Sequence, residues 1–142
     1  MGRVMGVDYG TVRIGVALSD QLHITAQPFR VVEASVFDTE VVSIVAESDV
    51  ERIVVGLPTH LQGRNDAAAR AAVGFADHLA GITGLPVETV DERFTTAAAQ
   101  SFLIDSGVRR EKRKEVVDKV AAAVLLQRWL DIQPAGESHD IV

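Results

Sequence analysis

The sequence predicts an α/β fold built on a mixed five-stranded sheet with helices on both faces. Near its start, apolar residues recur with a period close to two through residues 4–9 and 13–19, and Gly10 and Thr11 between these runs supply a turn. This pattern is typical of an antiparallel hairpin. Further along, helical and extended patterns alternate, which favours parallel strands joined by crossover helices. A sheet that contains both kinds of connection is mixed.

The remaining elements are predicted in order along the chain. A third extended run covers residues 23–32, and Pro28 inside it favours an edge strand or a β-bulge. The apolar periodicity then predicts alternating helices and strands, followed by two helices, the first of which ends at Ser106 and Gly107. These segments are a helix at residues 36–48, a strand at 53–57, a helix at 66–80, a strand at 87–90, and helices at 96–104 and 115–130.

The composition is that of one globular domain. A chain of 142 residues, of which 47% are hydrophobic and 24% charged, can bury a core without disulfides or a structural metal. We interpret residues 1–132 as a single domain. Residues 133–142 include Pro134, Gly136 and a polar run, so we interpret them as a flexible C-terminal tail.

We expect a cytoplasmic protein with no membrane partner. The chain has no cysteine, which excludes disulfides and thiolate chemistry and suits a reducing compartment. Its start lacks the charged head and the apolar stretch of a signal peptide. No run approaches the roughly 18 consecutive apolar residues of a membrane-spanning helix.

The charge is concentrated in one place. A formal net charge of −6 makes a general coat for nucleic acid improbable, because phosphate neutralisation needs local lysine and arginine. One short run nevertheless carries five basic side chains, between the last two predicted helices. We interpret this run as a grip on backbone phosphates, and a solvated charged loop is the alternative. Its members are Arg109, Arg110, Lys112, Arg113 and Lys114.

Asp8 is the first candidate for catalysis. It ends the first predicted strand and shares a face with Val4 and Gly6, because side chains alternate along a strand. A carboxylate there would emerge from the sheet interior at the strand's end. The alternative is a turn aspartate that caps Gly10 or Thr11.

Glu92 is the second candidate. It follows the strand at residues 87–90 and shares a face with Val90. Active sites in open α/β sheets gather at the carboxyl ends of parallel strands. The alternative is a solvated loop that precedes a helix, with Thr95 or Thr96 as the N-cap.

Asp118 is the most informative of the three acids. In a helix it shares a face with four apolar residues, namely Ala121, Ala122, Leu125 and Trp129. Burying an unpaired carboxylate costs several kcal/mol unless a cation or hydrogen bonds meet it. The alternative is an ion pair with Arg13 or Arg93.

The three acids could form a metal site. They converge if the first strand is central, the strand before Glu92 lies beside it, and the last helix packs across their ends. Clustered carboxylates without histidine or cysteine favour Mg²⁺ or Mn²⁺ over zinc. Two such ions about 3.5–4 Å apart support phosphodiester hydrolysis. Arg13 and Arg93 could clamp the scissile phosphate or orient Asp8 and Glu92.

Four motifs together resemble the YqgF, or RuvX, family. They are GVDYGTVRIGVALSD, VVGLP with a following Gly63, VDERFTT, and KEVVDKVAAAVLLQRWLD, and they extend from residue 6 to residue 131. The resemblance implies a ribonuclease H-like fold, a cytoplasmic location and a nuclease that processes the 5′ end of precursor 16S ribosomal RNA. Members are also described as Holliday junction resolvases. The acids of the family's proposed site fall on Asp8, Glu92 and Asp118.

Three questions stay open on sequence. Many ribonuclease H-like nucleases use four acids, and Glu115 or Asp91 could supply a fourth ligand here. Two other functional classes compete, a phosphotransferase of the actin-like class and a non-catalytic nucleic-acid-binding module. The sequence also leaves open whether the substrate is RNA or branched DNA and whether the protein is a monomer or a homodimer.

Overall fold

A computed structural model describes residues 2–57, 66–91 and 110–133, with the backbone alone for residues 57, 66, 68, 69, 91 and 110–118. These ranges hold five strands, one 3₁₀ turn and three α-helices. The strands are β1 (Arg3–Asp8), β2 (Arg13–Ser19), β3 (Ala26–Glu33), β4 (Val50–Leu57) and β5 (Val87–Asp91). The 3₁₀ turn is Ala34–Val36, and the helices are α1 (Phe37–Ser48), α2 (Asp66–Thr83) and α3 (Arg110–Ile132).

The strands form one sheet in the order β3-β2-β1-β4-β5. β1 pairs with β2, and β2 with β3, in antiparallel fashion. β4 is parallel to β1, and β5 is parallel to β4. The predicted mixed five-stranded sheet is therefore confirmed, with β1 at its centre.

One condition that we set for the three acids to converge is not met. The strand before Glu92 does not lie beside the first strand, because β4 lies between β1 and β5. The lateral separation of β1 and β5 is therefore two strand spacings, about 9.6 Å. β4 suits the inner place because Ile53, Val54 and Val55 are fully buried. β5 has two valines among three polar residues, a composition that an edge strand can have.

The interpretation of Pro28 is confirmed. β3 is an edge strand, and its register with β2 shifts where Val16 pairs with Arg30 and Ala17 pairs with Pro28. β3 begins later than predicted because a turn precedes it. In that turn Asp20 accepts hydrogen bonds from the backbone N–H groups of Ile24 and Thr25, at 2.7 and 3.0 Å.

Helices cover both faces of the sheet, as predicted. α1 and α2 pack on one face around a core that includes Met5, Ile14, Phe37 and Ile53. α3 packs on the other face against a smaller core. The residues of that core are Val4, Ala17, Val54, Ala122, Ala123, Leu125, Leu126, Trp129 and Leu130. No helix in the described ranges is long and apolar enough to cross a membrane.

The last helix begins earlier than the sequence predicted. α3 begins at Arg110, so four of the five residues of the basic run are helical and do not form a loop between two helices. Arginine, lysine and glutamate are good helix formers, and they extend the helix although they add no apolar stripe. Arg109, the helix predicted at residues 96–104 and the tail beyond residue 133 lie outside the described residues.

Candidate active site

Asp8 ends the central strand of the sheet. It stands at the edge where the parallel strands β1, β4 and β5 all end, and it is half-buried. On β2 its partner in register is Gly15. On β4 the last paired residues are Val7 and Val55, so the next position beside Asp8 is Gly56. The neighbours of Asp8 on both strands therefore have no side chain, and both glycines are buried.

The turn after Asp8 depends on Gly10. A Cβ atom built at Gly10 would collide with the backbone carbonyl oxygen of Arg13. The chain therefore reverses immediately beyond Asp8, which brings Arg13 to the start of the neighbouring strand. Arg13 pairs in register with Glu33 of β3. Asp8 and Arg13 thus lie at the same edge of the sheet, as predicted.

α3 lies directly on the central strand. A Cβ built at Gly6 would be 2.8 Å from the Leu126 Cβ atom and 3.0 Å from the Ala122 carbonyl oxygen. By strand alternation Gly6 and Asp8 share a face of β1, and Val4 on that face packs into the α3 core. Asp8 is therefore on the face that α3 covers.

The helix runs antiparallel to β1. The Gln127 side chain accepts a hydrogen bond from the Ala26 N–H, and Ala26 pairs in register with Ser19 of β2. The Ser19 hydroxyl in turn accepts a hydrogen bond from the Val4 N–H, near the start of β1. Moving along α3 from Ala122 to Gln127 therefore leads towards the amino end of β1. Residues that precede Ala122 lie towards Asp8.

Position 118 reaches the level of Asp8. It lies one turn before Ala122, about 6 Å along the helix axis, while Asp8 lies two residues beyond Gly6, about 7 Å along β1. The apolar stripe predicted to share its face is confirmed, because Ala121, Ala122, Leu125 and Trp129 are all buried. The backbone of α3 includes residue 118, and its side chain lies outside the described part of the structure.

The third acid lies just beyond β5. The strand ends at Asp91, opposite Leu57 at the end of β4, and Glu92 and Arg93 lie outside the described residues. Val90 is partly buried against the α3 core. Of the three predicted acids, only Asp8 has a described side chain, and the described side chains contain no cluster of three potential metal ligands. The metal site stays a prediction.

The basic run extends beyond the sheet. Arg110, Lys112, Arg113 and Lys114 belong to the first turns of α3. The helix axis covers about 12 Å from residue 118 back to residue 110. Because α3 runs antiparallel to β1, this segment overhangs the edge at which Asp8 stands.

Sequence reasoning missed the polar contacts that hold the other half of α3. The Trp129 Nε1–H donates to Glu88 Oε2 at 3.0 Å, and Arg52 Nη1 lies 3.4 Å from Glu88 Oε1. A signal was available, because Trp129 is the one tryptophan of the chain and stands in a stripe of alanine and leucine. The N–H of a buried indole needs an acceptor.

Comparison with solved structures shows the fold. A Thermus thermophilus RuvC structure matches with a TM-score of 0.53 and 15% identity, over 91% of this chain and 96% of that one. RuvC of the same organism in complex with a Holliday junction substrate matches with a TM-score of 0.52 and 17% identity, over 87% and 91% of the two chains. These likenesses confirm the predicted ribonuclease H-like fold.

Sequence relatives show the family. A family profile described as "RuvX: Holliday junction resolvase" matches residues 2–132. A protein of Endomicrobium trichonymphae named "Putative pre-16S rRNA nuclease" is 42% identical over 137 residues, which are 94% of this chain and 98% of that protein. A protein of Lactococcus lactis subsp. lactis (strain IL1403) with the same name is 42% identical over 134 residues, 91% of this chain and 94% of its own. The chain belongs to the RuvX family.

Proposed function

We propose that this protein is a metal-dependent nuclease that hydrolyses phosphodiester bonds in precursor 16S ribosomal RNA. One observation carries the proposal: Asp8 ends the central strand between two glycine positions, and α3 brings residue 118 to the same level. A half-buried carboxylate at the carboxyl end of the central strand suits a ligand that arrives from solvent. The family membership and the names of its relatives agree with this chemistry.

The donors that the chain offers fit Mg²⁺ or Mn²⁺. Asp8, Glu92 and Asp118 would hold the ion or ions through carboxylate oxygens, the ligands that hard divalent cations prefer. A fourth ligand could come from Glu115 or Asp91. When bound, the metal would supply activation of a water molecule and neutralisation of charge on the leaving oxygen.

The chain's own residues position the substrate. Gly15 and Gly56 place no side chain beside Asp8. The basic run at the start of α3, Arg109, Arg110, Lys112, Arg113 and Lys114, would bind phosphates that flank the scissile bond. Arg13 and Arg93 would bind the scissile phosphate itself. This arrangement supplies preorganised positive charge to a reaction whose transition state is anionic.

A second substrate deserves a direct comparison. The family profile is described as a Holliday junction resolvase, and RuvC shares the fold. Branched DNA is therefore the second candidate, and it would require a homodimer so that two strands are cut symmetrically. A nuclease that trims RNA could act as a monomer. With ribosomal RNA as substrate, the proposal places the protein in the cytoplasm, with no membrane partner.

Cleavage by wild type and Asp8→Asn tests the proposal. Precursor ribosomal RNA and a four-way DNA junction are incubated with Mg²⁺, Mn²⁺ or EDTA. We expect metal-dependent cleavage of the RNA that Asp8→Asn abolishes, a loss of at least about 10³-fold, because a ligand to the metal becomes neutral. The control is Asp20→Asn, which makes the same change at the opposite end of the strands. It retains an oxygen that can accept the hydrogen bonds from Ile24 and Thr25.

Each other outcome would indicate a different function for this protein. Preferential cleavage of the junction would make the resolvase the correct assignment. Binding of either substrate without cleavage by the wild type would favour the non-catalytic binding module. Cleavage by Asp8→Asn at the wild-type rate would refute the assignment of the site, provided that circular dichroism shows both proteins folded.

A further inference from the structure

The helix α3 approaches the central strand most closely at a small residue. Gly6 lies directly beneath Ala122 and Leu126, and Ala17 beside it is fully buried. Larger side chains of α3, namely Leu125, Leu126, Trp129 and Leu130, complete this core. Apolar packing is not directional. The axial position of the helix is fixed more sharply where directional contacts add a further constraint.

Directional hydrogen bonds at one end of the helix supply it. The Gln127 side-chain amide accepts the Ala26 N–H at 2.9 Å and donates to the Ile24 carbonyl oxygen at 2.9 Å. Trp129 Nε1–H donates to Glu88 Oε2 at 3.0 Å. These contacts bond α3 to both edge strands of the sheet. On one side they reach the start of β3 and the residue shortly before it, and on the other side they reach β5. Hydrogen bonds weaken steeply with displacement, so they resist sliding.

The Trp129–Glu88 contact is further fixed by an arginine. Arg52 Nη1 pairs with Glu88 Oε1 at 3.4 Å, and its guanidinium carbon lies 5.9 Å from the centroid of the Trp129 ring. Trp129 is 7% exposed, so its ring cannot easily change position. The cluster of Arg52, Glu88 and Trp129 therefore joins β4, β5 and α3.

This cluster connects the helix that carries Asp118 with the strand that precedes Glu92. Glu88 lies four residues before Glu92, and Trp129 lies eleven residues after Asp118. A strand and a helix transmit an axial displacement along their length with little loss. A slide of α3 at Trp129 would therefore move position 118 by a similar distance relative to β5.

We propose that Trp129 and Glu88 are positioning residues for the metal site. Their hydrogen bond sets the axial register between α3, which carries Asp118, and β5, which leads to Glu92. The inference rests on the proposed function. Mg²⁺ demands near-ideal octahedral geometry with ligands at about 2.0–2.1 Å, so a slide of even about 1 Å would disrupt a site shared by these elements.

Metal affinity, measured by calorimetric titration with Mn²⁺, tests the inference. Trp129→Phe keeps most of the ring and loses the N–H, and Glu88→Leu removes the acceptor. We expect each to raise the Mn²⁺ Kd about 10-fold, with the KM for nucleic acid unchanged. The double variant should lose no more than either single variant, because both break the same bond.

Two control variants separate positioning from lost stability. Glu88→Gln retains an oxygen that can accept the Trp129 N–H, and it should bind Mn²⁺ as the wild type does. Ile44→Val trims the core on the opposite face of the sheet, and it should lower the unfolding temperature without changing the Kd for Mn²⁺.

The outcomes are distinguishable. Wild-type Mn²⁺ affinity in Trp129→Phe, or an equal loss in Ile44→Val, would overturn the inference and leave the proposed function standing. A wild type that binds no Mn²⁺, or an Asp8→Asn variant that binds it fully, would refute the proposed metal site and the inference with it.

Discussion

Replacing Gly6 with alanine should drive α3 away from the central strand. The new Cβ atom would lie 2.8 Å from the Leu126 Cβ atom, about 0.6 Å short of the 3.4 Å at which ordinary contact begins. A Cβ atom cannot rotate away, and the second contact, at 3.0 Å, is the backbone oxygen of Ala122. The whole helix must therefore shift, which costs about 1–3 kcal/mol of unfolding free energy.

The cost should be visible in thermal and chemical unfolding. For a chain of this length it corresponds to a fall in the unfolding temperature of roughly 3–10 °C. A urea titration should show a lower midpoint with an unchanged slope, because the surface exposed on unfolding stays the same. Under the proposed function, the same shift would displace residue 118 relative to Asp8 and weaken Mn²⁺ binding.

Gly74→Ala is the matched control. Gly74 lies in α2, and a Cβ built there meets nothing within 4 Å. The same substitution should therefore stabilise the protein by about 0.5–1 kcal/mol through helix propensity. The reasoning is refuted if Gly6→Ala unfolds at or above the wild-type temperature, or if both variants lose stability equally.

Two further substitutions test the turns at opposite edges of the sheet. Gly10→Ala should lower both stability and cleavage, because the new Cβ meets the backbone of Arg13 and the turn beyond Asp8 must open. Urea unfolding and cleavage assays measure the two effects, and cleavage at the wild-type rate would contradict the prediction. Burial raises the pKa of Asp20, but hydrogen bonds from the backbone N–H groups of Thr25 and Ile24 lower it more, so this pKa lies below its ordinary value. Asp20→Ala should therefore be less stable than the wild type at neutral pH, and this difference in unfolding free energy should shrink as pH falls through the lowered pKa. A difference that is constant from pH 7 to pH 2 would argue against this cause.

The order of strands illustrates what the sequence could and could not predict. Extended patterns in the sequence predicted all five strands and the antiparallel hairpin, because those signals are local. The place of β4 between β1 and β5 depends on contacts between distant residues. A cue existed in the uninterrupted apolar run of Ile53, Val54 and Val55, which is typical of an inner parallel strand.

The same distinction between local signals and distant contacts applies to the candidate site. The position of Asp8 at a sheet edge follows from local alternation, and the structure confirms it. The early start of α3 was missed, since charged residues leave no apolar periodicity to detect. The convergence of Asp8, Glu92 and Asp118 depends on three separate elements, and it stays a prediction because Glu92 and the Asp118 side chain lie outside the described residues.

Residue size along one face of the sheet links the fold to the proposed chemistry. Where α3 covers that face, Gly6 and Ala17 let the helix approach so closely that a Cβ atom at Gly6 would lie 2.8 Å from the Leu126 Cβ atom. Two residues further along β1, the flanking positions are Gly15 and Gly56, which place no side chain beside Asp8. The small residues of this face thus seat the helix in one row and leave Asp8 as the side chain of the next. Under the proposed function, a phosphate would approach Asp8 at the carboxyl ends of the parallel strands, which the first turns of α3 overhang.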